Sequence, residues 1–396
     1  MTAWKKFKVG EVAELCLGKM LDEKKNKGEP LPYLANVNVR WGEFDLSNLK
    51  EMRFESREIE RYSLRVGDIV MCEGGEPGRC AIWQDENRTM MIQKAIHRIR
   101  PYAGFDSSFL FYSFLHKGRG NGFASLFTGA TIKHLPKQNL ELVEIAVPPL
   151  QVQRRIASIL SAYDDLIANN RRRIQLLEQA ARHIYKEWFV RLRFPGHERT
   201  RVVDGVPKGW EKKTLADICD DIRDSIEPGQ VESDTPYIGL EHIPKKSITL
   251  SEWGQADDVT SSKFRFIEGD ILFGKIRPYF HKVGFTLTNG ITSIDTIVIR
   301  ANDEKFYGYL LMLVSSDEFV AVASKTMREG SKMPRADWNF MKQYPVLLPP
   351  SPILSDFDKI IDDIVKQLKT LALQSKKLQQ ARDILLPRLM SGDISV

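Results

Sequence analysis

The sequence predicts an α+β protein in which two mixed α/β domains of similar sequence are separated by two long antiparallel helices forming a coiled coil. Three observations carry this prediction. Residues 151–190 contain no Gly and no Pro, the residues that most often break a helix. Apolar side chains recur there every seven residues, at Ile156, Tyr163, Leu177 and Ile184 in one register and Leu160, Ile167, Ile174, Ala181 and Trp188 in the other. Only Asn170 interrupts this seam of a/d positions. A helix of this length spans about 60 Å and needs a partner. Finally, a shift of 201 residues carries the seam onto a second one, Phe357, Ile364, Leu371, Leu378 and Leu385 with Ile361, Leu368, Ser375, Arg382 and Leu389.

The same shift maps Pro148 and Pro149 onto Pro349 and Pro350, and Gly129 onto Gly330, so that 129–190 recurs at 330–391 without a gap. Upstream the offset drifts between 201 and 206, because loops differ in length between the copies. The predicted order is a first domain over 1–150, a long helix over 151–190, a linker over 191–207, a second domain over 208–350, a second long helix over 351–390 and a tail over 391–396. Helix surfaces away from the seam are left for other subunits. Asn170 reads either as a register lock or as a partly exposed polar residue, and Arg382 is expected to snorkel to water.

Along the first domain, 4–15 reads as a short strand and a helical turn. The alternation over 33–39 predicts a strand. Residues 64–83 give a Gly-Asp turn, an apolar strand, a Gly-rich loop and another strand; 90–100 reads as one strand and 109–116 as a buried helix. Gly118, Gly120 and Gly122 predict a flexible loop. Two prolines before position 150 mark the start of the long helix. In the second domain, Gly269, Asp270 and Ile271 repeat Gly67, Asp68 and Ile69.

Composition bounds the function. The 396 residues suffice for two to three domains, and 42% hydrophobic with 28% charged residues is ordinary for a globular protein. No apolar run approaches the roughly 20 residues of a membrane span, and the N-terminus lacks a signal-peptide core, so the cytoplasm is expected. Cys16, Cys72, Cys80 and Cys219 form no CxxC pair, which predicts inert thiols rather than a metal site or disulfides. A net charge of +6 permits nucleic-acid binding without requiring it. Phosphate-loop, zinc-protease and nucleophile-elbow motifs are absent from the sequence. The pairs Asp164 with Asp165 and Asp362 with Asp363 read as solvated outer-face residues. A reader or scaffold is therefore predicted over an enzyme.

The motifs GWEKKTLADIC (209–219), EGDILFGKIRPYFHKVG (268–284), AVPPLQVQRRIASILSAYDDLIANN (146–170), KEWFVRLRFPGHE (186–198) and ILLPRLMSGDI (384–394) resemble the specificity subunit of Type I restriction–modification systems over essentially the whole chain. The resemblance implies two target-recognition domains, each reading one half of a bipartite, asymmetric site in double-stranded DNA. The paired helices would set the gap between the halves. It further implies two methyltransferase (modification) subunits, which bring S-adenosylmethionine and flip and methylate an adenine in each half. Motor-nuclease (restriction) subunits join them, and this chain itself has no cofactor and performs no chemistry.

Readers are expected on loops rich in basic and polar side chains: Glu73, Arg79, Lys133 and His134 in the first domain, and Lys275, Arg277, Tyr279, Lys282, Lys332 and Arg335 in the second. Lys and Arg supply salt-sensitive phosphate contacts, and Arg suits guanine. The competing reading is of ordinary surface charges, with Tyr279 a core aromatic. Arg171, Arg172 and Arg173 fit a solvated helix face or a phosphate or subunit contact. Two other functions remain open: a coiled-coil scaffold displaying two protein-binding domains, which would show no salt-dependent DNA binding, and a metal-dependent nuclease with an unrecognised site.

Overall fold

A computed structural model describes residues 4–23, 26–256, 261–327 and 333–396. The chain divides into two compact units, one comprising 1–165 and 378–396 and the other 166–377. Each long helix is thus shared between units.

The first unit starts with β1 (Lys5–Lys8), a one-turn α1 (Val9–Val12) and β2 (Ala13–Leu17). There follow β3 (Glu29–Leu34), β4 (Lys50–Phe54), α2 (Ser56–Tyr62), β5 (Ile69–Cys72), β6 (Cys80–Ile82), β7 (Met91–Ile92) and β8 (Ile96–Pro101). Helices α3 (Ser107–Arg119) and α4 (Lys137–Glu141) and strand β9 (Glu144–Val147) precede α5 (Leu150–Tyr185). One sheet has the order β2-β8-β5-β6, a second β4-β3-β7, and β1 pairs with β9. Strand β5, Ile-Val-Met-Cys, is buried on both faces, as its unbroken apolar run requires. Asp106 starts α3 by accepting a hydrogen bond from Phe109 N at 3.0 Å. Seven consecutive residues of α3, Phe109 to Leu115 with Ser113 among them, are then buried.

The second unit opens with a two-residue hairpin, β10 (Val202–Val203) and β11 (Val206–Pro207), then β12 (Glu211–Thr214), β13 (Cys219–Ile222), β14 (Ser225–Ile226) and β15 (Pro236–Ile238). Strands β16 (Thr249–Leu250), β17 (Gly254–Gln255), β18 (Lys263–Phe266), β19 (Ile271–Gly274), β20 (Val283–Thr286), β21 (Gly290–Ser293) and β22 (Thr296–Ala301) follow. Helices α6 (Tyr307–Val314), α7 (Asp317–Lys325) and α8 (Trp338–Met341), strand β23 (Pro345–Leu348) and α9 (Ser351–Met390) come next, the last part of α9 belonging to the first unit. Its sheet β13-β22-β19-β20-β16 repeats β2-β8-β5-β6 with one strand added. Its other sheet contains β21-β15-β17, the counterpart of β7-β3-β4, with the same parallel and antiparallel pairings.

An ion pair with a buried carboxylate is duplicated with the strands. Asp68 binds Arg100 through two hydrogen bonds of 2.7 Å, and Asp270 binds Arg300 in the same way. Gly67 and Gly269, both at φ +90°, make the turns that aim these carboxylates inward. The repeated Gly-Asp-Ile motif is therefore a structural clamp.

The seam residues are buried or half-buried. In the first unit Ile156 and Leu160 share a core with Leu386, Leu389 and Met390, and Leu385 packs at its edge. In the second, Phe357, Ile361, Ile364, Leu368 and Leu371 are buried, and Trp188 lies 5.6 Å, centroid to centroid, from Phe357. Ile167 and Asn170 are buried; Tyr163, Ile174, Leu177 and Leu378 are half-buried. Arg171, Arg172 and Arg173 are exposed.

Several local expectations are corrected. The strand expected over 33–39 ends at Leu34, because Asn38 folds the chain into a 3-10 turn: its Oδ1 accepts from Ala35 N and its Nδ2 donates to Asp45 O, both at 3.0 Å. The strand expected over 90–100 is two strands in different sheets, broken where Gln93 Oε1 accepts from Ala95 N at 3.0 Å. Helix α3 runs through Gly118, the first glycine of the expected loop. The expected linker over 191–207 contains the β10–β11 hairpin, which turns at Asp204 and Gly205. Arg382 does not reach for water: only 14% of its side chain is exposed, and it pairs with Asp164 and Asp383. Asp164 is accordingly not a solvated outer-face residue, since it also accepts from Tyr112 OH at 2.6 Å. All four cysteines are buried, and burial pushes the Cys219 thiol up to about 12. No single helix among the described residues is long and apolar enough to cross a membrane.

Candidate nucleic-acid interface

In each unit three segments meet at one end of a sheet. In the first they are the β5–β6 hairpin loop (73–79), the β7–β8 turn (93–95) and the loop before α4. Glu73 N donates to Ala95 O at 2.9 Å, and Leu135 N donates to Glu73 O at 2.8 Å. Thr128 and His134 exchange two backbone bonds of 2.9 Å, and His134 also bridges Gly74. The second unit reproduces the frame. Lys275 N donates to Asp295 O at 3.1 Å, Ala336 N to Lys275 O at 2.8 Å and Arg277 N to Pro334 O at 2.9 Å, with a bridge between Ile276 and Arg335. These bonds make Glu73 equivalent to Lys275, Ala95 to Asp295, and His134 to Arg335.

The side chains on this common frame differ. In the first unit Glu73 Oε2 lies 3.0 Å from His134 Nδ1. Lys133 is exposed and has no ion pair among the described residues. Gly74 allows close approach, since a Cβ there would sit 3.2 Å from the His134 ring. In the second unit Lys275 is half-buried; burial pulls its ammonium below the ordinary lysine value, and Arg335 and Arg223 reinforce this while Asp295 opposes it. Arg335 Nε donates to Asp295 Oδ1 at 2.9 Å. Arg277 is exposed at φ +48°, where the first unit has Gly75 at φ +83°. Tyr279 is 52% exposed with its ring against Phe280, so it is not a core aromatic. An open groove of about 530 Å³ is lined by Arg223, Lys275, Met333, Arg335 and Asp337, among others.

Two of the expected readers are turned inward. Arg79 is 11% exposed, donates to Asn36 O at 2.9 Å and pairs with Glu76 at 2.8 Å. Lys282 Nζ donates to Leu240 O. Cys72 N to Arg79 O and Gly274 N to Lys282 O are matching hairpin bonds, so these cations occupy equivalent places and tie each loop to the segment beyond β3 or β15. The structure thus gathers Glu73 with His134 and Lys275 with Arg277 and Arg335. Lys332 lies outside the described residues. Asp295, Arg223 and the exposed Lys94 were not expected; an alignment of the turns 93–95 and 293–295 is the signal that exposes the first and last. Among the described residues no three His, Cys, Asp or Glu side chains cluster as a metal site.

The chain is thus a duplicated module with one polar three-segment face per copy. The sequence profile described as the Type I restriction modification DNA specificity domain matches residues 1–179 and again 207–382, and the chain belongs to this family. It is 24% identical to the Type I restriction enzyme MjaIX specificity subunit of Methanocaldococcus jannaschii, covering 99% of this chain and 94% of that one. It is 21% identical to the EcoDI specificity subunit of Escherichia coli, over 94% of this chain and 83% of the relative. The crystal structure of the specificity subunit from M. genitalium has the same fold, with a TM-score of 0.58 at 15% identity over 98% of this chain and 96% of that one.

Proposed function

We propose that this chain is the sequence-specific DNA-recognition subunit of a Type I restriction–modification complex, each unit reading one half of a bipartite site in double-stranded DNA. The observation that carries this reading is the common three-segment frame with different side chains on it. A frame held by backbone bonds can change side chains without changing fold, as two readers of unlike half-sites require. Lys133, Lys275, Arg277, Tyr279 and Arg335 are the exposed or half-buried contacts, Glu73 and His134 a coupled pair. Arg79 and Lys282 act by holding the loops.

The long helices serve as an antiparallel coiled-coil spacer that fixes the unread gap. This rests on the buried seams and on the sharing of a core by the start of α5 and the end of α9. Two readers at fixed spacing gain affinity by bivalency only on sites of matching geometry. The chain performs no chemistry; methyltransferase subunits carrying S-adenosylmethionine dock on the helices, motor-nuclease subunits complete the complex, and the cytoplasm is its place of action.

The test is a base-resolution map of methylated adenine in cells with and without the gene. Loss of methylation at one two-part motif with a fixed gap is the expected result. An unchanged map, together with no salt-dependent DNA binding by the purified complex, would leave the protein-binding scaffold as the better account.

A further inference from the structure

We infer that Arg335, held side-on by Asp295, reads a guanine in the half-site of the second unit. The inference rests on the DNA-recognition reading and adds to it a base for Arg335 and a positioning role for Asp295. An arginine has five N–H donors. Here the Nε donor is taken by Asp295 Oδ1 at 2.9 Å. The terminal Nη groups have no hydrogen-bond partner among the described residues. That pair of donors matches O6 and N7 of guanine in the major groove. Half of the Arg335 side chain is exposed, whereas 23% of Asp295 is, so the anchor is the drier partner.

Both ends of the couple are fixed to one backbone element. Lys275 N binds Asp295 O, and Lys275 O accepts from Ala336 N, the neighbour of Arg335. An arginine held this way has less rotamer entropy to lose on binding. A phosphate contact would gain nothing from the carboxylate, which would repel the phosphate. A half-exposed ion pair also adds little stability, so stability alone does not account for the couple. The first unit offers a parallel rather than a copy of this couple. His134, at the equivalent position, is also held by a carboxylate, Glu73, which comes from a different segment.

The experiment maps methylated adenine in cells carrying the full complex with the natural chain, Arg335→Ala or Asp295→Ala. His134→Ala identifies the half-site of the first unit. Binding of the purified complex to DNA with 7-deazaguanine at the assigned position, which lacks N7, is measured alongside. The expected results are loss of preference for one guanine in the second half, with the first half and the gap unchanged. The deaza substitution should weaken binding by roughly ten-fold for the natural chain and hardly at all for Arg335→Ala. Asp295→Ala should lower guanine discrimination while affinity for unrelated DNA is kept. A natural motif without guanine in that half, or a full guanine preference in Arg335→Ala, would overturn the inference. So would equal deaza penalties in both proteins, which also decides the matter if the variant methylates nothing. A map that never depended on this chain would instead sink the underlying reading.

Discussion

The two units share strand order, a buried Asp–Arg clamp and a three-segment loop frame, yet differ wherever a side chain leaves that frame. Glu73 stands where the second unit has Lys275, Ala95 where it has Asp295, and His134 where it has Arg335. A similar contrast lies between the long helices. The pair Arg382 and Asp164 in the first unit corresponds under the 201-residue shift to Ala181 and Val365 in the second, which are apolar. Duplication has kept what sets backbone geometry and released what sets surface chemistry and the polarity of the helix contact.

The largest effect is expected where the units agree. Asp68→Ala leaves a largely buried Arg100 uncompensated and should lower the stability of the first unit by about 3 kcal/mol. Asp270→Ala should cost less, because 38% of the Arg300 side chain remains in water. Denaturant unfolding with hydrogen exchange in each unit measures both; a neutral Asp68→Ala would remove the clamp from the shared frame.

Next comes the helix contact. Arg382→Ala strips a half-buried Asp164 of its main partner and should cost about 2 kcal/mol. Adding Asp164→Val copies the apolar pair of the second unit and should recover part of the loss, since the buried Tyr112 hydroxyl then lacks the carboxylate that accepts from it. If the double variant is no better than the single, the two contacts are not interchangeable.

The third prediction separates fold from binding. Arg277→Gly installs the residue type of the equivalent Gly75 at a left-handed position, so stability should change by less than about 1 kcal/mol. The same change should reduce the slope of log affinity against log salt by about one if Arg277 contacts phosphate. An unchanged slope removes Arg277 from the interface.

The smallest effect is pH dependence. Burial lowers the affinity of His97 and His281 for protons below that of the free side chain, near 6.5. A hydrogen bond to a backbone carbonyl opposes this only in part, His97 Nε2 to Leu135 O at 2.8 Å and His281 Nε2 to Ser315 O at 2.9 Å. Because the unfolded chain binds the proton more readily, this stability is present above about pH 6.5 and is lost as pH falls below it. His97→Gln should flatten that acid dependence in the first unit alone, as read by thermal unfolding across pH 5–7.

The duplication and the long helices were legible because period and offset are properties of sequence alone. The order of the sheets was not, since β-pairing between distant strands leaves no local mark. The single strand expected over 90–100 failed for a local reason: its apolar run spans a turn closed by the Gln93 side chain. Arg382 was misread because its partner Asp164 is 218 residues away. The interface was half legible. Basic loop residues pointed to Lys275, Arg277 and Arg335, but composition could not tell these outward cations from Arg79 and Lys282, which are spent on backbone carbonyls. Asp295 carries no signal until its turn is aligned with that of Ala95.

The most direct test of one reader per unit is a methylation map from cells in which the paired loops are altered one unit at a time. Glu73→Ala with His134→Ala, and separately Lys275→Ala with Arg335→Ala, should each change one half of the motif, a different half for each pair, with the gap constant. A change in both halves from one pair, or in the gap, would contradict the account.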